Sequence, residues 1–208
     1  MLQNIQVELI TIFLCVFTDF SFTRAHDTIN SDLSNSLGNL LSRITSRKVN
    51  PRQTVPALDE QVLHQVLDED DKNMLRRCDV IADVVDRHFE DFSIDLATQC
   101  VFELVHWANA LLAKTEPWKL VKSSDPRDKL ECDGVVRTCC DVTRRCAILL
   151  QPIVPEMSER VLRRLAVPAS RCAWQDASCE FYARDAETKL GRDEGASFQR
   201  LKLLSPEH

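Results

Sequence analysis

Apolar residues recur along the chain at helical intervals. In the first run Phe22, Ile29, Leu33, Leu37, Leu40, Leu41 and Ile44 follow one another by sevens, fours and threes, the signature of one amphipathic helix. It stops before SRKVNPRQTVP, where Pro51 and Pro56 bracket a connector, because proline lacks the N–H that a continuing helix needs. A second stripe, Leu75, Cys78, Ile81, Ala82, Val85 and Phe89, follows the acidic run DEDDK, whose carboxylates suit the positive end of a helix dipole. A third comprises Ala97, Cys100, Val101, Leu104, Trp107, Ala108, Leu111 and Leu112, with Ser93 as N-cap and Asp95 in the first turn. After about six turns it must end near Thr115, since Pro117 disfavours helical geometry at Glu116. Trp118 is thereby expected at a rigid helix exit.

SSDPRDKL opens a fourth helix, with Asp125 as N-cap, Pro126 at the first helical position and Asp128 in the first turn. Its stripe runs through Val136, Cys139, Cys140, Thr143, Cys146, Ala147 and Leu150 to Gln151. A fifth, shorter helix begins near Pro155 with Met157, Val161 and Leu165 on one face. Beyond Pro168 the period weakens. The pattern predicts an all-α, up-and-down helical bundle of about five helices. It divides the chain into an apolar segment over 1–18, a helical domain over 19–168 and an irregular tail over 169–208, with at most a short helix near Trp174.

Composition sharpens this. The 208 residues include four glycines, where average usage of about 7% would give roughly fifteen. Scarce glycine disfavours hairpin turns and leaves no phosphate-cradling loop. Of nine cysteines, Cys132, Cys139, Cys140 and Cys146 fall within one helical pattern and no CxxC pair occurs, so buried free thiols are expected rather than zinc ligands or disulfides. The apolar run Leu9 to Phe17 is far shorter than the ~20 residues that span a bilayer. It also has no basic n-region, carries Glu8 and precedes no small-x-small cleavage site. Neither a membrane span nor export is expected, and the odd cysteine count fits a reducing compartment.

Little here can carry catalysis. The histidines at 26, 64, 88, 106 and 208 lack metal-ligand spacing, and no GxSxG elbow exists, so no catalytic or metal site is expected. The acids at 68–71 read as a solvated helix start. Binding has more support. Asn39 and Arg43 lie four residues apart, about 40° around the axis, to one side of the apolar stripe. An amide beside a guanidinium can hydrogen-bond the edge of an unstacked base, although most such pairs are simply a solvated face. The formal charge is −6, yet Arg43, Arg47, Lys48 and Arg52 have no acid among them. Around Trp118, Lys114, Lys119 and Lys122 outnumber Glu116 alone. Two cationic patches on an acidic protein can hold phosphates locally while net repulsion discourages nonspecific RNA binding.

The blocks DLSNSLGNLLSR, NALLAKTEPWKL, LLQPIVPEMSERVLRRL and KLGRDEGASFQRL occur in that order. Together they resemble the C-terminal anticodon-binding domain of methionyl-tRNA synthetases, the bacterial and mitochondrial type, over roughly residues 19 to 202. The resemblance implies a helical bundle that receives the CAU anticodon of tRNA-Met. It implies that Asn39, Arg43 and Trp118 contact anticodon bases, chiefly the first, a cytosine. Arg47, Lys48, Lys114, Lys119 and Lys122 are then expected to face phosphates. The family's HIGH-type and KMSKS-type signatures are not present, and Gln199 replaces a usual proline. No cofactor is therefore expected in this chain: ATP and methionine belong to a catalytic domain that a longer form could supply, and the chain alone is expected to be non-catalytic. A monomer in the mitochondrial matrix is implied, with the cytoplasm as alternative. In the family the bundle packs on the catalytic domain, so here the tail is expected to be loose around a core of about 20–168. Two other readings are a stand-alone tRNA-binding or interaction bundle and, from the apolar start and the cysteines only, a secreted helical-bundle signalling protein.

Overall fold

The computed structural model describes residues 33, 35–178 and 187–193. Its helices are α1 (Gly38–Ile44), α2 (Glu60–Val66), α3 (Glu69–Glu90), α4 (Ile94–Thr115), α5 (Pro117–Leu120), α6 (Pro126–Leu149) and α7 (Pro155–Arg164), followed by 3-10 turns over Ala169–Arg171 and Trp174–Ala177. The all-α expectation holds. No helix among the described residues is long and apolar enough to cross a membrane.

The apolar stripes become the core. Leu33, Leu37, Leu40, Leu41 and Ile44 are buried, while Phe22, Ile29 and the segment 1–18 lie outside the described residues. Helix α3 starts with a capping box in which the Asp68 and Asp71 side chains each accept from the other's backbone N–H. Helix α4 ends at Thr115 as Pro117 requires, and α6 starts on the Asp125 cap with Pro126 behind it. Ser93 precedes α4 but makes no side-chain cap bond.

Helix α4 packs on both α3 and α6, and α6 is the central element, touching α1, α2, α4, α5, α7 and the second 3-10 turn. A helix in that position is buried nearly all round. From Cys132 to Leu149 only Asp133 and Asp141 retain partial exposure. Burial holds the thiols of Cys132 and Cys140 protonated, pushed up to about 12, and raises Cys139 and Cys146 as well. The expectation of buried free thiols on this helix is met.

Three features depart from the sequence reading. Helix α2 was not anticipated, because Leu63 is its single buried residue; the Asp59 side chain caps it by accepting from Val62 N at 3.1 Å. The α6 stripe also contains buried charge. Arg144, fully buried, donates to Asp141 Oδ1 at 3.0 Å and to the Asp176 carbonyl at 2.7 Å. Arg145 donates to Asp141 Oδ2, the Cys78 carbonyl and the Ala177 carbonyl. The Asp141 carboxylate and three backbone carbonyls thus accept from two guanidinium groups, which makes their burial tolerable and fastens the 3-10 turn at Trp174–Ala177 to α3 and α6.

Third, residues 187–191 of the tail, expected to be loose, hydrogen-bond and pack against the bundle. Residues 187–190 run antiparallel to 53–55, with Glu187 N to Val55 O, Val55 N to Thr188 O and Leu190 N to Gln53 O each at 2.8 Å. Leu190 packs against the core. Gly191 N donates to the Arg164 carbonyl at 3.0 Å, so close that an added Cβ would sit 2.0 Å from the Arg163 carbonyl oxygen.

Candidate nucleic-acid interface

Asn39 and Arg43 project from α1 on the side away from the core and are exposed, while Leu40, Leu41 and Ile44 are buried. The start of α1 is pinned to α4, where Asn109 Nδ2 donates to the Ser36 carbonyl at 3.0 Å and His106 Nε2 lies 3.2 Å from Ser36 Oγ. The polar pair therefore stands on a helix fixed at both its apolar face and its entry.

The chain leaves α1 in a loop built by its own amides. Buried Asn50 donates to the Thr54 carbonyl at 2.6 Å, and Gln53 Nε2 donates to the carbonyls of Thr45 at 2.8 Å and Asn50 at 2.7 Å. Arg164 of α7 braces the loop from below at the Thr45 carbonyl and Gln53 Oε1, both 3.3 Å, and also donates to the Gly191 carbonyl. Buried carbonyls are satisfied, and Arg47 and Lys48 are left exposed on a held backbone. Among the described residues neither has an ion-pair partner. Arg52 does not belong to the available charge: it pairs with Asp133 at 2.5 Å and lies 3.8 Å from Glu187.

Trp118 lies in α5, one turn long. Glu116 takes a left-handed conformation, φ 46° and ψ 53°, between α4 and buried Pro117. This reverses the chain without a glycine. Trp118 is half-buried and packed against the core, so one part of its ring is anchored and the remainder faces solvent. Lys122 is exposed and unpaired among the described residues. Lys119 pairs with Glu116 at 2.5 Å.

Lys114, expected to face phosphate, is paired with carboxylates in the structure. Its ammonium donates to Asp68 Oδ2 at 2.6 Å and Asp71 Oδ2 at 2.7 Å. Trp107 Nε1 adds a bond to Asp71 Oδ1 at 2.9 Å. The Lys114 hydrogen bond holds Asp68 down to about 2, and Asp68 and Asp71 in turn raise Lys114. The acidic run is accordingly not only a solvated helix start, because Asp71 is buried.

The basic loop and the tryptophan turn meet on α6. Cys132 Sγ lies 3.8 Å from the Val49 carbonyl and 3.6 Å from the Pro117 carbonyl. A single thiol thus touches the backbone next to Lys48 and the backbone next to Trp118. Sequence reasoning identified the exposed residues and a buried Cys132, but not that Cys132, Asp133, Asn50 and Gln53 hold them; nothing in helical periodicity distinguishes a thiol beneath two loops from any other core cysteine. Among the described residues no group of His, Cys, Asp and Glu side chains is arranged to hold a metal ion.

No family model matches the chain. Individual proteins do. The mitochondrial methionine–tRNA ligase of Takifugu rubripes is 29% identical over 193 residues, 88% of this chain and 32% of that protein. The methionine–tRNA ligase of Brucella suis is 32% identical over 148 residues, 71% of this chain and 27% of that protein. Among solved structures, apo Mycobacterium tuberculosis methionyl-tRNA synthetase superposes with a TM-score of 0.76 at 25% identity, over 88% of this chain and 35% of that one. The chain spans about a third of the length of the relatives it matches. In sequence and in its all-α bundle, the chain is a homologue of methionyl-tRNA synthetases across that third, resembling their C-terminal domain.

Proposed function

We propose that the chain is the anticodon-binding portion of a methionyl-tRNA synthetase and recognises the CAU anticodon of tRNA-Met. The observation that carries this reading is the meeting, on Cys132, of a loop exposing Arg47 and Lys48 with the turn that holds half-buried Trp118. Trp118 offers a π-face to an unstacked base, worth about 1 to 3 kcal/mol. Asn39 supplies both a donor and an acceptor and Arg43 a planar fork, the groups needed to read the edge of the first anticodon base, a cytosine. Arg47, Lys48 and Lys122 take phosphates. Lys119 is less available because of Glu116, and Lys114 has a structural role instead.

In this reading ATP and methionine are handled by a catalytic domain carried by a longer form, and this segment supplies recognition of the tRNA as a monomer. The relatives named mitochondrial support the mitochondrial matrix as its location. The test is titration of the purified chain with a stem-loop RNA carrying CAU and with one in which uracil replaces the first cytosine. Preferential binding of the native loop, weakened by Trp118→Ala, is expected. Equal affinity for both loops, unaffected by that substitution, excludes the reading.

A further inference from the structure

Two consecutive residues of α6 each grip the surface elements assigned above to RNA contact. Cys132 Sγ faces the carbonyls of Val49 and Pro117. Asp133 pairs with Arg52 at 2.5 Å, three residues after Val49. Cys132 is 3% exposed, so a larger side chain there has to push one backbone or the other outward. Arg52 is also near Glu187, so the same loop end is tied to the tail.

We propose that Cys132 and Asp133 are positioning residues that set the spacing between the basic loop and the Trp118 turn, so that one RNA loop engages both at once. The inference rests on the anticodon-binding reading and adds to it two residues that touch no RNA. Cys132 fixes the separation by its small size beneath both backbones. Asp133 fixes the loop laterally through Arg52, drawing that arginine's charge away from the RNA to do so. The price is electrostatic: a carboxylate beside a phosphate-binding patch repels the ligand. That makes the sign of its effect diagnostic.

The experiment compares the full chain with Asp133→Asn, Cys132→Leu and Cys132→Ser, using the CAU stem-loop as probe at fixed salt, with helicity and unfolding midpoints recorded. If the carboxylate acted only through its charge, Asp133→Asn would tighten binding. Positioning predicts the opposite, a loss of about three- to tenfold, although the surface substitution leaves the core intact. Cys132→Leu should weaken binding comparably and Cys132→Ser should stay within about twofold of the parent. The loss caused by Trp118→Ala should also shrink in the Asp133→Asn background, because the two contacts are no longer made together. Tighter or unchanged binding by folded Asp133→Asn overturns the inference alone, provided Trp118→Ala weakens the parent. If the parent does not bind the stem-loop, the anticodon reading falls and this inference with it.

Discussion

Lys114 donates to Asp71 across 2.7 Å, joining the last turn of α4 to the first turn of α3. The carboxylate is buried and also accepts from Trp107, whereas the lysine is about half exposed. Lys114→Met leaves Asp71 with one fewer charged donor, which should cost about 1 to 2 kcal/mol of unfolding free energy. The salt dependence of RNA binding should not change, since the ammonium is committed to carboxylates; a reduced salt slope would return Lys114 to the phosphate contacts. The same pair gives a pH signature. Asp68 is held below its usual 3.8 at about 2, so its contribution is present above pH 4 and is lost as pH falls toward 2. Thermal melts across that window should show a smaller fall for Lys114→Met than for the parent.

Glu116 bears a conformation that side chains with a Cβ occupy at a cost of roughly 1 to 2 kcal/mol, and it does so just before Trp118. Glycine relieves that strain while losing an exposed ion pair with Lys119 worth at most about 1 kcal/mol. Glu116→Gly should therefore leave the urea midpoint unchanged or slightly raised. Glu116→Val, β-branched and unsuited to positive φ, should lower stability by about 1 to 2 kcal/mol. Equal midpoints for the two variants would mean that the turn is not left-handed in solution.

Gly191 has no room for a methyl group beside the Arg163 carbonyl. Gly191→Ala should detach residues 187–193 from the strip at 53–55 and break the reciprocal bonds between Gly191 and Arg164. Limited proteolysis is the measurement: the parent should resist cleavage in this segment, and the variant should be nicked there first while the bundle survives. Equal protection of both would show that the tail does not depend on this close approach.

Long apolar stripes and prolines made α3, α4, α6 and α7 legible, since the period of each stripe is local. Helix α2 was not, because one buried leucine gives no period. Arg144 and Arg145 were equally hidden: their partners Asp176, Cys78 and Ala177 are distant in sequence, and a guanidinium on a central helix looks like surface until those acceptors are placed. In the candidate interface the same division holds. Asn39 and Arg43 follow from α1's stripe, but whether a lysine near Trp118 is free or engaged depends on which helix crosses it. Lys114 and Lys122 have the same chemistry and differ only in that α3 presents Asp68 and Asp71 to one of them.

Base reading and base stacking can be separated by what each mutant does to discrimination. Because every base has a π-face, Trp118→Ala should weaken the native and uracil-substituted loops together, by about five- to 150-fold. Asn39 and Arg43 stand exposed on α1 with their hydrogen-bonding groups unused among the described residues, so their removal should leave the fold intact. If they bond the cytosine edge, Asn39→Ala and Arg43→Ala each hurt the native loop more than the uracil variant, and the ratio of affinities shrinks. Arg43→Lys should not restore it, since an ammonium lacks the planar fork. Arg47→Ala and Lys48→Ala should instead weaken both loops equally and lower the salt slope. Full discrimination retained by folded Asn39 and Arg43 variants would remove the base-reading role from this pair while leaving the stacking role of Trp118 to be judged on its own titration.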